Sequence, residues 1–154
     1  MSRKVVLFIA VSLDGYIATM DESLDWLFNV EGEGDNGYSE FYETVDTVVM
    51  GRKTYDWITT QMEGEFPYKG KQCYVFSNAR AQKDTENIAF LNENISDFVS
   101  HLKQQSGKNI WVAGGGALLH SFIEANQIDE MIITIAPTLI GNGIRLFPEG
   151  DYQA

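Results

Sequence analysis

The feature that most constrains this chain is a set of nearly unbroken apolar runs. Residues 4–12 read KVVLFIAVS, 46–51 DTVVMG, 72–77 QCYVFS, 110–114 IWVAG and 130–137 EMIITIAP. A strand with one wet face alternates polar and apolar residues. Short continuous runs rich in β-branched residues instead suit strands covered on both faces. NIAFL, at 87–91, reads as one more short strand.

Helical patterns fill the intervals. YSEFYETV (38–45) places Phe41 and Val45 four apart, and KTYDWITTQM (53–62) sets Trp57 and Ile58 on one side, with Tyr55 and Met62 near it. SDFVSHLKQQSG starts at Ser96, a good N-cap, and stops at Gly107, with Phe98, Val99 and Leu102 as its apolar stripe. ALLHSFIEAN (117–126) gathers Leu118, Leu119, Phe122 and Ile123 on one face. Alternating strand and helix predict an α/β fold with a central, mostly parallel sheet. The 154 residues suit one domain over 1–154. No repeat or linker interrupts them, and the loosest stretch is NVEGEGDNG, 29–37.

No apolar run reaches membrane-spanning length. The N-terminus begins with basic residues and an apolar run, as a signal peptide does, but Ser12 and Asp14 interrupt the run and no small-residue cleavage site stands out. It therefore reads as a first strand. The single cysteine, Cys73, has no disulfide partner and reads as a core filler, which makes a cytoplasmic location the simplest expectation. A net charge of −11 argues against nucleic acid and acidic membranes as partners. Yet six of the eleven basic residues fall between Arg52 and Lys83, a local basic patch suited to an anionic small molecule.

Three strand ends carry residues that favour phosphate. The first is Gly114-Gly115-Gly116, between a strand and a helix. A helix start offers unpaired N–H groups and positive dipole charge, and glycine removes the Cβ that would hold a pyrophosphate away. The competing reading is a tight turn that needs positive φ. A Rossmann fingerprint fails because Leu119 stands where its third glycine belongs, and a P-loop fails because no Gly-Lys-Ser/Thr follows. The second is VVMGRKTYDW (48–57), where Arg52, Lys53 and Thr54 follow Gly51 at a helix start. Two cations there oppose the helix dipole unless an anion binds. The third is VFSNAR (75–80), with Ser77, Asn78 and Arg80. Open α/β sheets bind ligands beyond such carboxyl ends.

SLDGYIA (12–18), VDTVVMGRKTYDW (45–57), YVFSN (74–78), WVAGGGALLHSFI (111–123) and APTLIGNGIRLFP (136–148) together resemble the dihydrofolate reductase-like superfamily. More closely, the chain is similar to the reductase domain of the bifunctional riboflavin-biosynthesis deaminase–reductases. The resemblance covers nearly the whole sequence. It implies a three-layer α/β/α fold and NADPH as cofactor. Arg52, Lys53 and Thr54 would hold phosphates, and Ser77, Asn78 and Arg80 would surround the 2′-phosphate. Gly114, Gly115, Gly116, Ala117 and Leu118 would line the pyrophosphate, with Gly51 at the neighbouring strand end. Ala10 and Ile17 would flank the nicotinamide, and Thr134 would lie beside the substrate. The zinc-binding deaminase half has no counterpart here. The family's C-terminal strand pair has none in the sequence given.

The expected chemistry is hydride transfer to a C=N or C=O carbon of a small pyrimidine, pterin or ribosylamino-type substrate. The catalytic candidates are Asp14, Asp35 and Thr134, with Tyr16 as a further proton handler. Asp35 sits upstream of Met50-Gly51-Arg52 at the distance of the carboxylate that grips the pterin in dihydrofolate reductases, but in a glycine-rich loop. Asp14 also suits a turn in LDG. Dihydrofolate reduction and nucleotide or pteridine binding without turnover remain alternatives. No metal site is expected, because neither His101 nor His120 has a partner at ligand spacing. The apolar segment 129–147 suggests a homodimer burying Ile140, Ile144 and Leu146 or their neighbours.

Overall fold

The computed structural model describes residues 3–18, 37–61, 68, 70–77 and 87–147. Its strands are β1 (Val5–Ser12), β2 (Tyr16–Ala18), β3 (Val45–Gly51), β4 (Gln72–Phe76), β5 (Ile88–Leu91), β6 (Asn109–Gly114), β7 (Glu130–Ala136) and β8 (Ile144–Arg145). Its helices are α1 (Tyr38–Glu43), α2 (Arg52–Gln61), α3 (Ile95–Lys103) and α4 (Gly116–Glu124). One sheet runs β5-β4-β3-β6-β1-β7, with every neighbouring pair parallel. β2 and β8 form a separate antiparallel pair.

The continuous apolar runs are explained by two cores, one on each face of the sheet. Val5, Leu7 and Val11 of β1 and Ile110 and Val112 of β6 pack with Phe98, Val99 and Leu102 of α3 and Leu118, Leu119 and Phe122 of α4. The alternate residues, Val6 and Trp111, pack on the other face with Phe41 of α1, Ile58 of α2, Val48, Met50, Cys73 and Val75. Cys73 is fully buried, and burial pushes its thiol up to about 12, as befits a packing residue.

This layering fixes where a ligand can bind. The neighbouring strands β3 and β6 are followed by α2 and α4, which leave for opposite faces. Their departure opens a crevice at the carboxyl ends of the strands, the topological switch point where open α/β sheets place ligands.

Some expectations shift. α3 begins at Ile95 rather than Ser96, because Asn94 is the cap, its Oδ1 accepting from the Asp97 N–H at 3.2 Å. The pair β2 and β8 was not anticipated. Leu146 is buried within the chain, and Ile144 is half-buried and packs against the first core. The exposed apolar side chains of that region are Met131, Ile132, Ile135, Leu139 and Phe147. No helix among the described residues is long and apolar enough to cross a membrane.

At the opposite, amino-terminal end of the strands, Arg3 is 5% exposed. Its guanidinium donates to Lys108 O (2.7 Å), Leu102 O (3.0 Å), Asp46 Oδ1 (2.8 Å) and Thr47 Oγ1 (2.6 Å). The cluster ties the chain start, β3 and the α3–β6 loop together. It also explains Gly107: a Cβ there would lie 2.8 Å from Asp46 Oδ2 and 3.0 Å from the guanidinium. Burial opposes ionisation of Asp46. The Lys108 N–H, the Thr47 hydroxyl and Arg3 outweigh it and hold the carboxyl below its ordinary 3.8.

Arg3→Met is expected to cost about 2–3 kcal/mol in denaturant unfolding, since it strands several acceptors. Because the folded pKa of Asp46 is depressed, its ionisation stabilises the fold fully above 3.8 and ceases to do so as pH falls through the lower folded value. The stability gap between the parent and Asp46→Asn should therefore narrow only below pH 3.8. A gap that is constant from pH 6 to pH 2 would refute the assignment.

Candidate functional site

The crevice is a cavity of about 760 Å³, within the range of roughly 300–1,000 Å³ typical of small-molecule sites. Its lining crosses five neighbouring strand ends: Asn92 after β5, Phe76 and Ser77 at β4, Gly51 at β3, Ala113 and Gly114 at β6, and Ile9 and Ala10 in β1. Four inter-strand gaps span about 19 Å. The site therefore suits an extended ligand.

Two helix starts face each other across it. α2 opens with Arg52-Lys53-Thr54 and α4 with Gly116-Ala117-Leu118, and neither has an acidic residue in its first turn. No side chain caps α4, whose N-cap is Gly115. Such starts present unpaired N–H groups and partial positive charge.

The glycines have two reasons to be there. Gly114 has φ +130°, so the positive φ falls on the first glycine, whereas Gly115 is extended with φ −80°. The Gly114–Gly115 peptide is cis. A Cβ on Gly115 would sit 3.0 Å from Thr54 Oγ1, and one on Gly116 would sit 2.6 Å from Ile144 Cγ2. The close approach that three glycines imply is thus made in part by this chain's own side chains. Gly51 lies beside them, its Cβ position 3.6 Å from Gly115 N.

At the outer end, Arg52 is held from two sides. Its Nε donates to Asp56 at 2.9 Å, its Nη1 to Ser77 Oγ at 3.4 Å, and its guanidinium lies 5.7 Å from the Phe90 ring centre. Asp56, one turn along α2, pairs with one nitrogen of the donor fork, and Arg52 lines the cavity.

The inner wall comes from far along the chain. Ile17 of β2 and Ile144 of β8 line it. The β2–β8 pair is anchored by Asp14, which accepts from Ser12 Oγ (2.6 Å), Ile140 N (3.2 Å) and Gly141 N (2.9 Å). The Ser12 hydroxyl chiefly, with help from those two N–H groups, holds the Asp14 carboxyl below its ordinary range. His120 of α4 donates from Nε2 to Arg145 O at 2.8 Å, since a carbonyl can only accept.

Of the residues expected from sequence, Ala10, Ile17, Gly51, Arg52, Lys53, Thr54, Ser77, Gly114, Gly115, Gly116, Ala117 and Leu118 converge on this cavity. Asp35, Asn78 and Arg80 lie outside the described residues. Asp14 and Thr134 are not among the lining residues: Asp14 serves the turn, and Thr134 sits on β7 in register with Ala10. Tyr16 reaches Gly141 O at 3.3 Å. Sequence reasoning missed Trp57, Tyr68, Glu93, Ala113 and Ile144 as lining residues.

Gly116→Ala should destabilise the fold by about 1–3 kcal/mol through overpacking against Ile144. Ile144→Ala in the same chain should recover most of that loss, as a double-mutant cycle by thermal or denaturant unfolding would show. Strict additivity would mean that the 2.6 Å approach is not what excludes a side chain there.

Residues 3–154 match the family model described as the RibD C-terminal domain. The chain is 52% identical over 149 residues to the uncharacterized protein YwjB of Bacillus subtilis, across 97% of this chain and 85% of that protein. A crystal structure from Shewanella sp. PV-4, named for riboflavin biosynthesis, superposes with a TM-score of 0.84 at 32% identity, across 99% of this chain and 86% of that one. A dihydrofolate reductase from Enterococcus faecalis, solved with NADP(H), shares the fold at a TM-score of 0.65 and 17% identity, across 98% of this chain and 82% of that one. The chain belongs to the RibD C-terminal domain family, with the dihydrofolate reductase-like α/β fold.

Proposed function

We propose that the chain is an NADPH-dependent reductase of the riboflavin-pathway type. Its substrate would be a small pyrimidine, pterin or ribosylamino compound such as 5-amino-6-(5-phosphoribosylamino)uracil. The observation that carries this reading is the pair of uncapped or cation-bearing helix starts that flank one extended, glycine-lined cavity. A dinucleotide fits that arrangement from end to end. The α4 start and Gly114–Gly116 would take the pyrophosphate, and Arg52 and Ser77 the 2′-phosphate. Ala10 and Ile17 would bound the nicotinamide. When bound, NADPH would supply the hydride. The family membership and the NADP(H)-bound fold relative support the same reading.

A second reading, nucleotide or pteridine binding without turnover, draws on one observation. Neither Asp14 nor Thr134 lines the cavity, and the carboxylate that does among the described residues, Glu93, lies at the β5 end. NADPH oxidation measured against a panel of pyrimidines and pterins separates the two readings.

The parent protein should bind NADPH at least about tenfold more tightly than NADH, because a charge-assisted hydrogen bond to the 2′-phosphate contributes about 1.5–3 kcal/mol. Arg52→Ala should erase most of that preference with little change in NADH affinity. Calorimetric titration with both cofactors checks it, and equal affinities in the parent would overturn the assignment.

A further inference from the structure

The inner wall is the part of the cavity with the least support from the main sheet. β2 and β8 pair with each other and stand apart from the six-stranded sheet. A two-stranded pair of three and two residues has little stability of its own. Its position is therefore set by what it is tied to. On one side the ties run to the end of β1. Asp14 accepts from Ile140 N and Gly141 N, and Leu13 N donates to Thr138 O at 2.8 Å. These bonds fix the pair against β1 and leave its distance from α4 open.

The other side is held by one stripe of α4. Gly116 and His120 are four residues apart and so share a helix face. They meet two successive residues of β8. A Cβ on Gly116 would lie 2.6 Å from Ile144 Cγ2 and 3.6 Å from Ile17 Cδ1, so the wall rests on a helix start where only glycine leaves room. One turn on, His120 Nε2–H donates to Arg145 O at 2.8 Å. Among the described residues no other hydrogen bond joins α4 to β8. Gly116, Ile17 and Ile144 line the cavity, whereas the half-buried His120 does not. Its bond therefore acts on the wall and not on a ligand. Apolar contact is non-directional and lets surfaces slide, but a hydrogen bond from a rigid ring holds helix and strand at one spacing.

We propose that His120 is a positioning residue for the cofactor. On the reductase reading, on which this assignment rests, the α4 start takes the pyrophosphate and Ile17 bounds the nicotinamide. The link from His120 to Arg145 O keeps these two parts of the site at the separation that one dinucleotide spans.

The test is calorimetric titration of the full chain with two probes. NADPH spans both parts, and adenosine 2′,5′-bisphosphate carries the 2′-phosphate end without a nicotinamide. His120→Leu keeps bulk and removes the donor. It should weaken NADPH binding about three- to tenfold, the size of one net hydrogen bond, and leave the bisphosphate within about twofold of the parent. His120→Gln, whose amide restores an N–H donor, should return NADPH affinity to within about twofold of the parent. Unchanged NADPH affinity in His120→Leu overturns the proposal. So does a parallel loss of both probes, which makes His120 a purely structural residue, and so does a glutamine variant as weak as the leucine one. A parent that binds no NADPH overturns the reductase reading, and this assignment falls with it.

Discussion

Everything in this structure depends on the requirement that a parallel sheet be dry on both faces. The strands carry apolar side chains to either side, so helices must cover both. Crossover connections supply them, α2 on one face and α4 on the other. Because those two helices follow neighbouring strands, β3 and β6, covering the sheet also splits its top edge. The ligand cavity is thus a product of core formation and not an addition to it. The helix starts reach the cavity for the same reason.

The two ends of the strands are built on opposite principles. At the amino-terminal end, Arg3 satisfies four acceptors in a closed cluster. Charge there is paired and packed against Gly107. At the carboxyl end, cationic and N–H-rich groups are arranged around open space. A buried, paired guanidinium specifies register among segments distant in sequence, whereas Arg52 is held by Asp56 and Ser77 at the cavity wall.

What the sequence disclosed follows from signal length. Runs of five to nine mostly apolar residues announced the six strands of the main sheet, and helical spacing announced all four described helices. β2 and β8, of three and two residues, are too short for any periodicity, so the inner wall with Ile144 stayed hidden. Asp14 was a candidate acid because a carboxylate near a strand end is chemically versatile, yet its oxygens are taken by Ser12 and the 140–141 backbone. The glycines were recognised, but not that Thr54 and Ile144 are what crowd them. Trp57 looked like one more member of an apolar helix face. Its exposure in three dimensions, 40% against 6%, separates it from Trp111.

The position of β1 bears on how the chain is made. This first strand sits between β6 and β7, the last two of the sheet, and Lys4 beside it bonds to a residue 105 positions later. During synthesis β3, β4 and β5 are all made before either neighbour of β1 exists. Of the six strands of the sheet, β1 is therefore made first and waits longest for its partners. The ribosome, by pacing the delivery of β6 and β7, governs when the sheet can close around β1.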